Sequence, residues 1–344
     1  ARQRPALESL TAEVLPLAEA CRFLEREAGK ILATRRLGRR GLPLWLAGIR
    51  SEVHREPFGV ILIIGPGNYP LLLPGVQLIQ ALAAGNAVLL KPGSGGLPAA
   101  CALTELVVRA GFDPNLVAVL PEATESARAA IAARPDKVLF TGSAATGENI
   151  LAQLAPRLIP AAMELSGCDA VIVRADADLE LTVKALAFGL RLNGGATCLA
   201  PKRVFVHRSA ATELEGRLAR ALNSLGNGAD AKDSWEENQS LRAAAAVKNL
   251  RPLIEDALAR GAHFIAGDEQ VNGAIVLGGV DPASRLLRQD LFAPVLAVVT
   301  VADDHEAVLR ASDCPFALAA SVFSRDESAA RSLAARLHAG VITI

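Results

Sequence analysis

The sequence predicts an α/β protein: an open, doubly wound parallel sheet of the Rossmann-like kind, followed by a second α/β domain. Three observations predict it. From Gly59 onward, short and wholly apolar runs alternate with stretches of helical composition. Runs apolar on both faces are what parallel strands sandwiched between helices require, and right-handed crossovers then wind the helices onto both sides of the sheet. The length of 344 residues allows about two such domains.

Taken in order, the first fifty residues read as helix. Leu10, Val14, Leu17 and Ala18 recur at helical spacing, and Ala20, Phe23, Leu24, Ala28 and Ile31 form a second stripe. Arg35, Arg36, Arg39 and Arg40 give this stretch a basic excess, read as a solvated surface. Val60–Ile64, Ala87–Leu90, Val117–Leu120 and Val138–Phe140 are strand-like, and Leu71–Ala84, Pro98–Ala110 and Ser126–Ala133 are helical. Strands at Ala161–Leu165 and Val171–Val173 follow. Asp176 and Asp178 then open a helix over Leu179–Leu192, where a carboxylate suits the exposed amides and the positive helix end. The second region continues with a strand at Val204–Val206, a helix at Ala211–Leu225, a polar loop at Gly226–Asn238 and a helix at Leu241–Ala259 that Pro252 should break or kink. Strands at Leu296–Val301 and Ala319–Phe323, a helix at Ser328–His338 and a strand-like Val341–Ile344 complete the chain. No turn signal closes that last run, so the polypeptide is expected to continue past Ile344.

Composition narrows the function. Hydrophobic residues make up 51% and charged residues 21%, enough to bury a large core and exclude disorder. Lys plus Arg and Asp plus Glu both number 36, and a net charge of zero removes the electrostatic attraction on which nucleic-acid binding rests. The longest apolar stretch, Gly59–Ala84, is interrupted by Pro66, Asn68, Pro70, Pro74 and Gln77, so no membrane span is expected. The amino terminus has no apolar segment of a secretory leader. Five scattered cysteines without a CxxC, and histidines without metal spacing, predict neither a disulfide framework nor a metal site. A cytoplasmic protein is the expectation.

Four segments carry candidate chemistry. Gly65-Pro66-Gly67-Asn68 follows a strand and offers a neutral amide, though a plain turn fits it as well. Thr141-Gly142-Ser143 through Gly147 joins a strand to a helix start, where bare amides can hold a phosphate; it lacks the Lys of a P-loop and the Gly-x-Gly-x-x-Gly fingerprint. Glu164 follows an apolar strand and precedes a Gly turn, a place for a general base or merely for a cap. Cys198 follows Asn193-Gly194-Gly195, where local amides could activate a thiol. Cys168, in the turn near Glu164, is the second candidate thiol.

In their order and spacing these segments resemble the aldehyde dehydrogenase superfamily. The resemblance runs from about Glu56 to Ile344 and includes Glu56-Pro57-Phe58-Gly59-Val60, Asn68-Tyr69-Pro70 and Ala84-Gly85-Asn86 through Lys91-Pro92. It continues through Phe140-Thr141-Gly142-Ser143, Glu164-Leu165, the Cys198 loop, Asp290-Leu291-Phe292-Ala293-Pro294-Val295 and Ala319–Phe323. It implies a dinucleotide-binding domain over residues 1–165 and a catalytic domain over 166–344. It implies that the Cys198 thiolate attacks an aldehyde, with Asn68 and the Cys198 N–H holding the oxyanion. Hydride then leaves for NAD or NADP, and Glu164 activates the water that hydrolyses the thioester. The same mapping puts Gly142, Ser143 and Gly147 at the pyrophosphate, Lys91 at the adenosine ribose, and Asp290 with Phe292 at the nicotinamide end.

The departures from the family pattern are informative. Ser94 stands where the family commonly carries Glu, which removes repulsion against a 2′-phosphate and makes NADP acceptable. Asp290 replaces the usual Glu, and Ser166-Gly167 replaces a glycine pair. A homodimer is the expected assembly. The alternatives are a CoA-acylating or reductive relative, against which Glu164 argues, and an inactive binding relative, against which Cys198, Asn68 and Glu164 together argue.

Overall fold

The computed structural model describes residues 4–38, 41–46, 48–225, 242–269 and 273–344. Two compact units divide the chain, Ala1–Glu164 and Leu165–Ile344.

The first unit opens with helix α1 (Leu15–Leu32), preceded by a turn of π-helix at Leu10–Val14. Beyond it the expected helix gives way to two short antiparallel strands, β1 (Arg35–Leu37) and β2 (Ser51–Val53). Arg36 Nε donates to Glu52 Oε1 at 3.0 Å across this ladder. Arg35 and Arg36 are thus exposed strand residues, while Arg39 and Arg40 lie outside the described residues. Both apolar stripes, over residues 10–31, fall on helix as expected, and the helical expectation fails only beyond Leu32, where neither stripe continues.

The main sheet of this unit holds β3 (Val60–Ile64), β4 (Ala87–Lys91), β5 (Val117–Val119), β6 (Lys137–Gly142) and β7 (Ala161–Leu165), in the order β5-β4-β3-β6-β7. β3 pairs in parallel with both β4 and β6, and β4 with β5. The crossovers are α2 (Leu72–Ala83), α3 (Leu97–Arg109), α4 (Thr124–Ala132) and α5 (Ala144–Leu154). Ile63, Leu78 and Leu90 are wholly buried between sheet and helices. Each such side chain contributes about 1.5–3 kcal/mol. Because the chain starts at the central β3 and returns to place β6 on its other side, the loops leaving β3 and β6 diverge at the carboxyl ends of the strands. That divergence opens a crevice of the kind ligands occupy.

The second unit has β8 (Asp169–Val173), α6 (Leu179–Arg191), β9 (Pro201–His207), α7 (Arg208–Leu225), α8 (Arg242–Ala259), β10 (His263–Ala266), β11 (Ile275–Gly278), β12 (Val295–Val301), α9 (Asp304–Ser312), β13 (Ala319–Phe323), α10 (Glu327–Ala334) and β14 (Val341–Thr343). Its seven strands run β10-β11-β12-β9-β8-β13-β14, all parallel except the β10–β11 pair. α6 and α7 cover one face, and α8, α9 and α10 the other. Pro252 sits inside α8 without ending it. Leu250, Leu253, Ile254 and Ala257 are buried around it, and this packing outweighs the lost backbone hydrogen bond. β10 and β11 went unread in the sequence, and the Gly226–Asn238 loop lies outside the described residues. No helix among the described residues is long and apolar enough to cross a membrane.

Candidate active site

In the first unit, the loops leaving β3, β4 and β6 all lie at the carboxyl end of the sheet. Asn68 is buried, and its Oδ1 accepts from the Tyr69 N–H at 3.0 Å, which fixes the plane of the carboxamide. The backbone of Asn68 is itself gripped. Arg4 Nη2 donates to its carbonyl at 2.6 Å, and Arg4 Nη1 donates to Glu13 Oε1 at 2.8 Å. Glu13 Oε2 then accepts from the Leu71 and Leu72 N–H groups at 2.7 and 3.1 Å, where α2 begins. The Arg4 guanidinium also lies 5.3 Å over the Tyr69 ring. No local pattern marks this clamp, because Glu13 reaches Leu71 and Leu72 across almost sixty residues.

The loop after β4 packs hard against the loop after β3. A Cβ on Gly93 would lie 2.3 Å from the Pro66 carbonyl carbon, so only glycine fits. Lys91 is half-buried, and burial lowers its pKa, partly offset by the Glu122 carboxylate. Glu122 is the second residue that sequence reasoning missed. It accepts from the Leu97 and Gly95 N–H groups at 2.7 and 2.8 Å, and these bonds hold its carboxyl below the ordinary range. The α3 amino terminus beside exposed Ser94 therefore carries its own carboxylate. The signal was present: Glu122 follows the strand β5, the setting expected for Glu164, which instead lies within β7.

After β6, Gly142 leaves no room for a side chain, since a Cβ would sit 2.5 Å from its neighbour Phe140's ring. Ser143 caps α5, its Oγ accepting from the Thr146 N–H at 3.4 Å, and Gly147 is buried in the first turn. Asn68, Lys91, Ser94, Gly142, Ser143 and Gly147 thus share one end of one sheet. Glu164 is half-buried on β7.

In the second unit, Cys198 is half-buried in the loop between α6 and β9. Three consecutive residues ahead of it, Asn193, Gly194 and Gly195, have φ of 53°, 60° and 73°. A Cβ on Gly195 would stand 2.5 Å from Pro294 N, which excludes any other residue on space as well as conformation. Lys202, almost wholly buried at the start of β9, donates to Gly195 O at 3.1 Å and to Ala293 O at 3.0 Å. Burial lowers its pKa to about 8 against the pull of Cys168, Asp290 and Asp169. Asp290 accepts a short hydrogen bond from the Ser166 hydroxyl. Its other oxygen is buried without a hydrogen-bond partner among the described residues, and burial raises the Asp290 pKa. Leu291 and Ala293 are buried, and Phe292 between them is exposed.

Cys168 differs from Cys198 in kind. It is fully buried, with its Sγ 3.7 Å from Leu287 O, and a hydrogen bond with Cys314 together with burial raises its pKa. The bond lowers the Cys314 pKa in turn. Arg203 braces this corner by donating to Cys168 O at 2.8 Å and Ala311 O at 3.1 Å. Among the described residues, no group of three or more His, Cys, Asp or Glu side chains is placed to hold a metal.

A two-unit α/β fold with crevice loops in the first unit and a thiol on a pinned glycine loop in the second defines a class. The chain matches the aldehyde dehydrogenase family over residues 3–344 and belongs to it. It is 31% identical over 336 residues to 4,4'-diapolycopene aldehyde oxidase of a Methylomonas species, covering 97% of this chain and 62% of that protein. It is 32% identical to a Mycolicibacterium smegmatis protein provisionally named succinate-semialdehyde dehydrogenase (NADP+), covering 96% of this chain and 65% of that one. The chain therefore spans less than two thirds of the length of either relative. Among solved structures, an aldehyde dehydrogenase from Brucella melitensis biovar abortus superposes with a TM-score of 0.87 at 26% identity, covering 99% of this chain and 71% of that one.

Proposed function

We propose that the protein oxidises an aldehyde to a carboxylic acid with NAD or NADP as hydride acceptor. The observation that carries this reading is Cys198, a half-buried thiol on a loop held by Gly195 and Lys202, in a chain of this family. The two relatives named above also carry aldehyde-directed names.

The residues present fit a nicotinamide dinucleotide. Gly93 lets the loop after β4 pack directly on the loop after β3, α5 presents its amino terminus at the same end of the sheet, and Lys91 supplies a cation. When bound, the cofactor would supply the acceptor for a hydride, two electrons carried with one proton. The rest belongs to the chain. The Cys198 thiolate adds to the carbonyl carbon and forms a C–S bond. The Asn68 carboxamide, oriented through Tyr69, donates to the oxyanion; preorganised donors of this type are usually the largest single catalytic contribution. After oxidation, Glu164 takes a proton from water, the hydroxide attacks the thioester, and the C–S bond breaks to return the thiolate. Aldehyde, oxidised cofactor and water give acid, reduced cofactor and one proton.

A panel of aliphatic, aromatic and carboxylate-bearing aldehydes, each with NAD and NADP, tests this by the absorbance of the reduced nicotinamide. The expected result is cofactor reduction matched one for one by acid. Reduction that requires coenzyme A, or none with any aldehyde, overturns the proposal.

A further inference from the structure

We infer that Lys202 is a positioning residue that couples the Cys198 loop to the Asp290–Phe292 segment, so that occupancy of one is felt at the other. The inference rests on the reading of Cys198 as nucleophile and of Asp290 with Phe292 as a cofactor contact. It assigns the coupling to a residue with no place in the chemistry.

The geometry is specific. A lysine ammonium has three donors and no acceptor. Two of its contacts are main-chain carbonyls, Gly195 O at 3.1 Å, three residues before Cys198, and Ala293 O at 3.0 Å, immediately after Phe292. The two loops also touch directly, because Gly195 has no side chain and its α-carbon stands over the Ala293–Pro294 peptide. Ala293 O also accepts from the Val295 N–H at 2.8 Å, and neither carbonyl belongs to the strand ladders of β9 or β12, so Lys202 is the side chain that ties the two carbonyls to each other. The charges facing Lys202 are Asp290 and Asp169, with the Cys168 thiol beside them. Asp290 is tied to Ser166, so the ammonium stands at the meeting point of the Ser166 turn, the nucleophile loop and the Asp290 segment.

A buried cation at the head of an apolar strand is costly unless it is fully engaged. A lysine that served packing alone would be replaced by methionine with little loss. The two carbonyls make the difference: with methionine they lose a shared donor, and the loops can shift independently. Misplacement by about 1 Å is enough to cost a hundredfold in a reaction.

The test uses the full chain and does not depend on turnover. Cys198 alkylation by iodoacetamide is followed by peptide mass, which separates it from Cys314, with and without saturating NAD. The expected result is that NAD changes the parent rate at least threefold. Lys202→Met should bring that ratio close to one while the protein stays folded, and Lys202→Gln, which keeps an amide NH₂ as donor, should restore part of it. A lowered melting temperature with the NAD effect intact would show a structural role only and overturn the inference, as would a parent rate indifferent to NAD. If neither variant folds, hydrogen exchange on the parent decides. NAD must protect the amides of residues 195–198 and 291–295 together, and protection confined to one segment overturns the coupling. Aldehyde oxidation without this coupling would sink the inference and spare the proposed function; coupling without oxidation would do the reverse.

Discussion

Glu13→Ala is the perturbation whose cost can be worked most directly. Arg4 and Glu13 have side-chain exposures of 7% and 8%. Removing the carboxylate strands a buried guanidinium and deprives the Leu71 and Leu72 N–H groups of their acceptor at the positive end of α2. Breaking a buried pair on one side typically costs about 3–5 kcal/mol, most of it the uncompensated charge. For a unit of this size each kcal/mol lowers the melting temperature by about 2–4 °C. The calorimetric transition should therefore fall by roughly 6–20 °C. The double variant Arg4→Met with Glu13→Leu removes both charges and should recover most of that loss, because apolar replacement of a buried pair is often neutral. Aldehyde oxidation should stay low in the double variant, since the Asn68 carbonyl has lost the Arg4 donor that holds its loop. A Glu13→Ala melt within 3 °C of the parent, on the order of 1 kcal/mol, would refute the reasoning, as would a double variant less stable than either single one.

Three more outcomes follow from the site. Cys198→Ala should abolish aldehyde oxidation and leave cofactor binding intact, whereas Cys168→Ala, which removes a fully buried thiol, should cost stability and retain turnover; the reverse pattern in paired assays would reassign the nucleophile. Ser94 removes a carboxylate near Lys91 but Glu122 supplies one, so Glu122→Gln should tighten NADP binding by about two- to thirtyfold with NAD little changed, an exposed like charge being worth about 0.2–1 kcal/mol per unit of phosphate charge. Equal shifts in both dissociation constants, measured by titration, would count against it. Burial raises the Asp169 pKa to about 7, so the native state binds more protons than the unfolded chain between about pH 4 and 7, and this group subtracts stability as pH rises through that window. Asp169→Asn should flatten that fall, worth up to roughly 4 kcal/mol, in denaturant midpoints taken across the range; identical pH slopes would rule it out.

The sheet of the first unit was legible because each strand is an apolar run set off by glycine, proline or asparagine, and Gly85-Asn86 before β4 is one such mark. β1 and β2 carry Arg35, Arg36 and Glu52, so no apolar run marks them, whereas β10 and β11 are bounded by Gly261, Gly267 and Gly279 and held a signal of the same kind in only four residues each. The crevice loops and the Cys198 loop stood out because their glycines break the pattern. What could not be read was the support beneath them. Glu13 binds at residues 71 and 72, Lys202 at 293, and Glu122 at 95 and 97, and no local period records such distances. A weaker signal existed for Lys202: a charged residue heading an apolar strand needs a buried partner, and that need could have been stated before the partner was known.

Gly195 has two independent reasons to stay glycine, a φ of 73° and a peptide pressed where a side chain would begin. A saturation-mutagenesis screen for activity should score position 195 as harshly as the proposed nucleophile Cys198, although glycine has no side chain to bring to a reaction. Intolerance at that position measures how tightly the backbone of one loop is stacked on another, and a map of essential residues that equates severity with chemistry would count one catalytic residue too many.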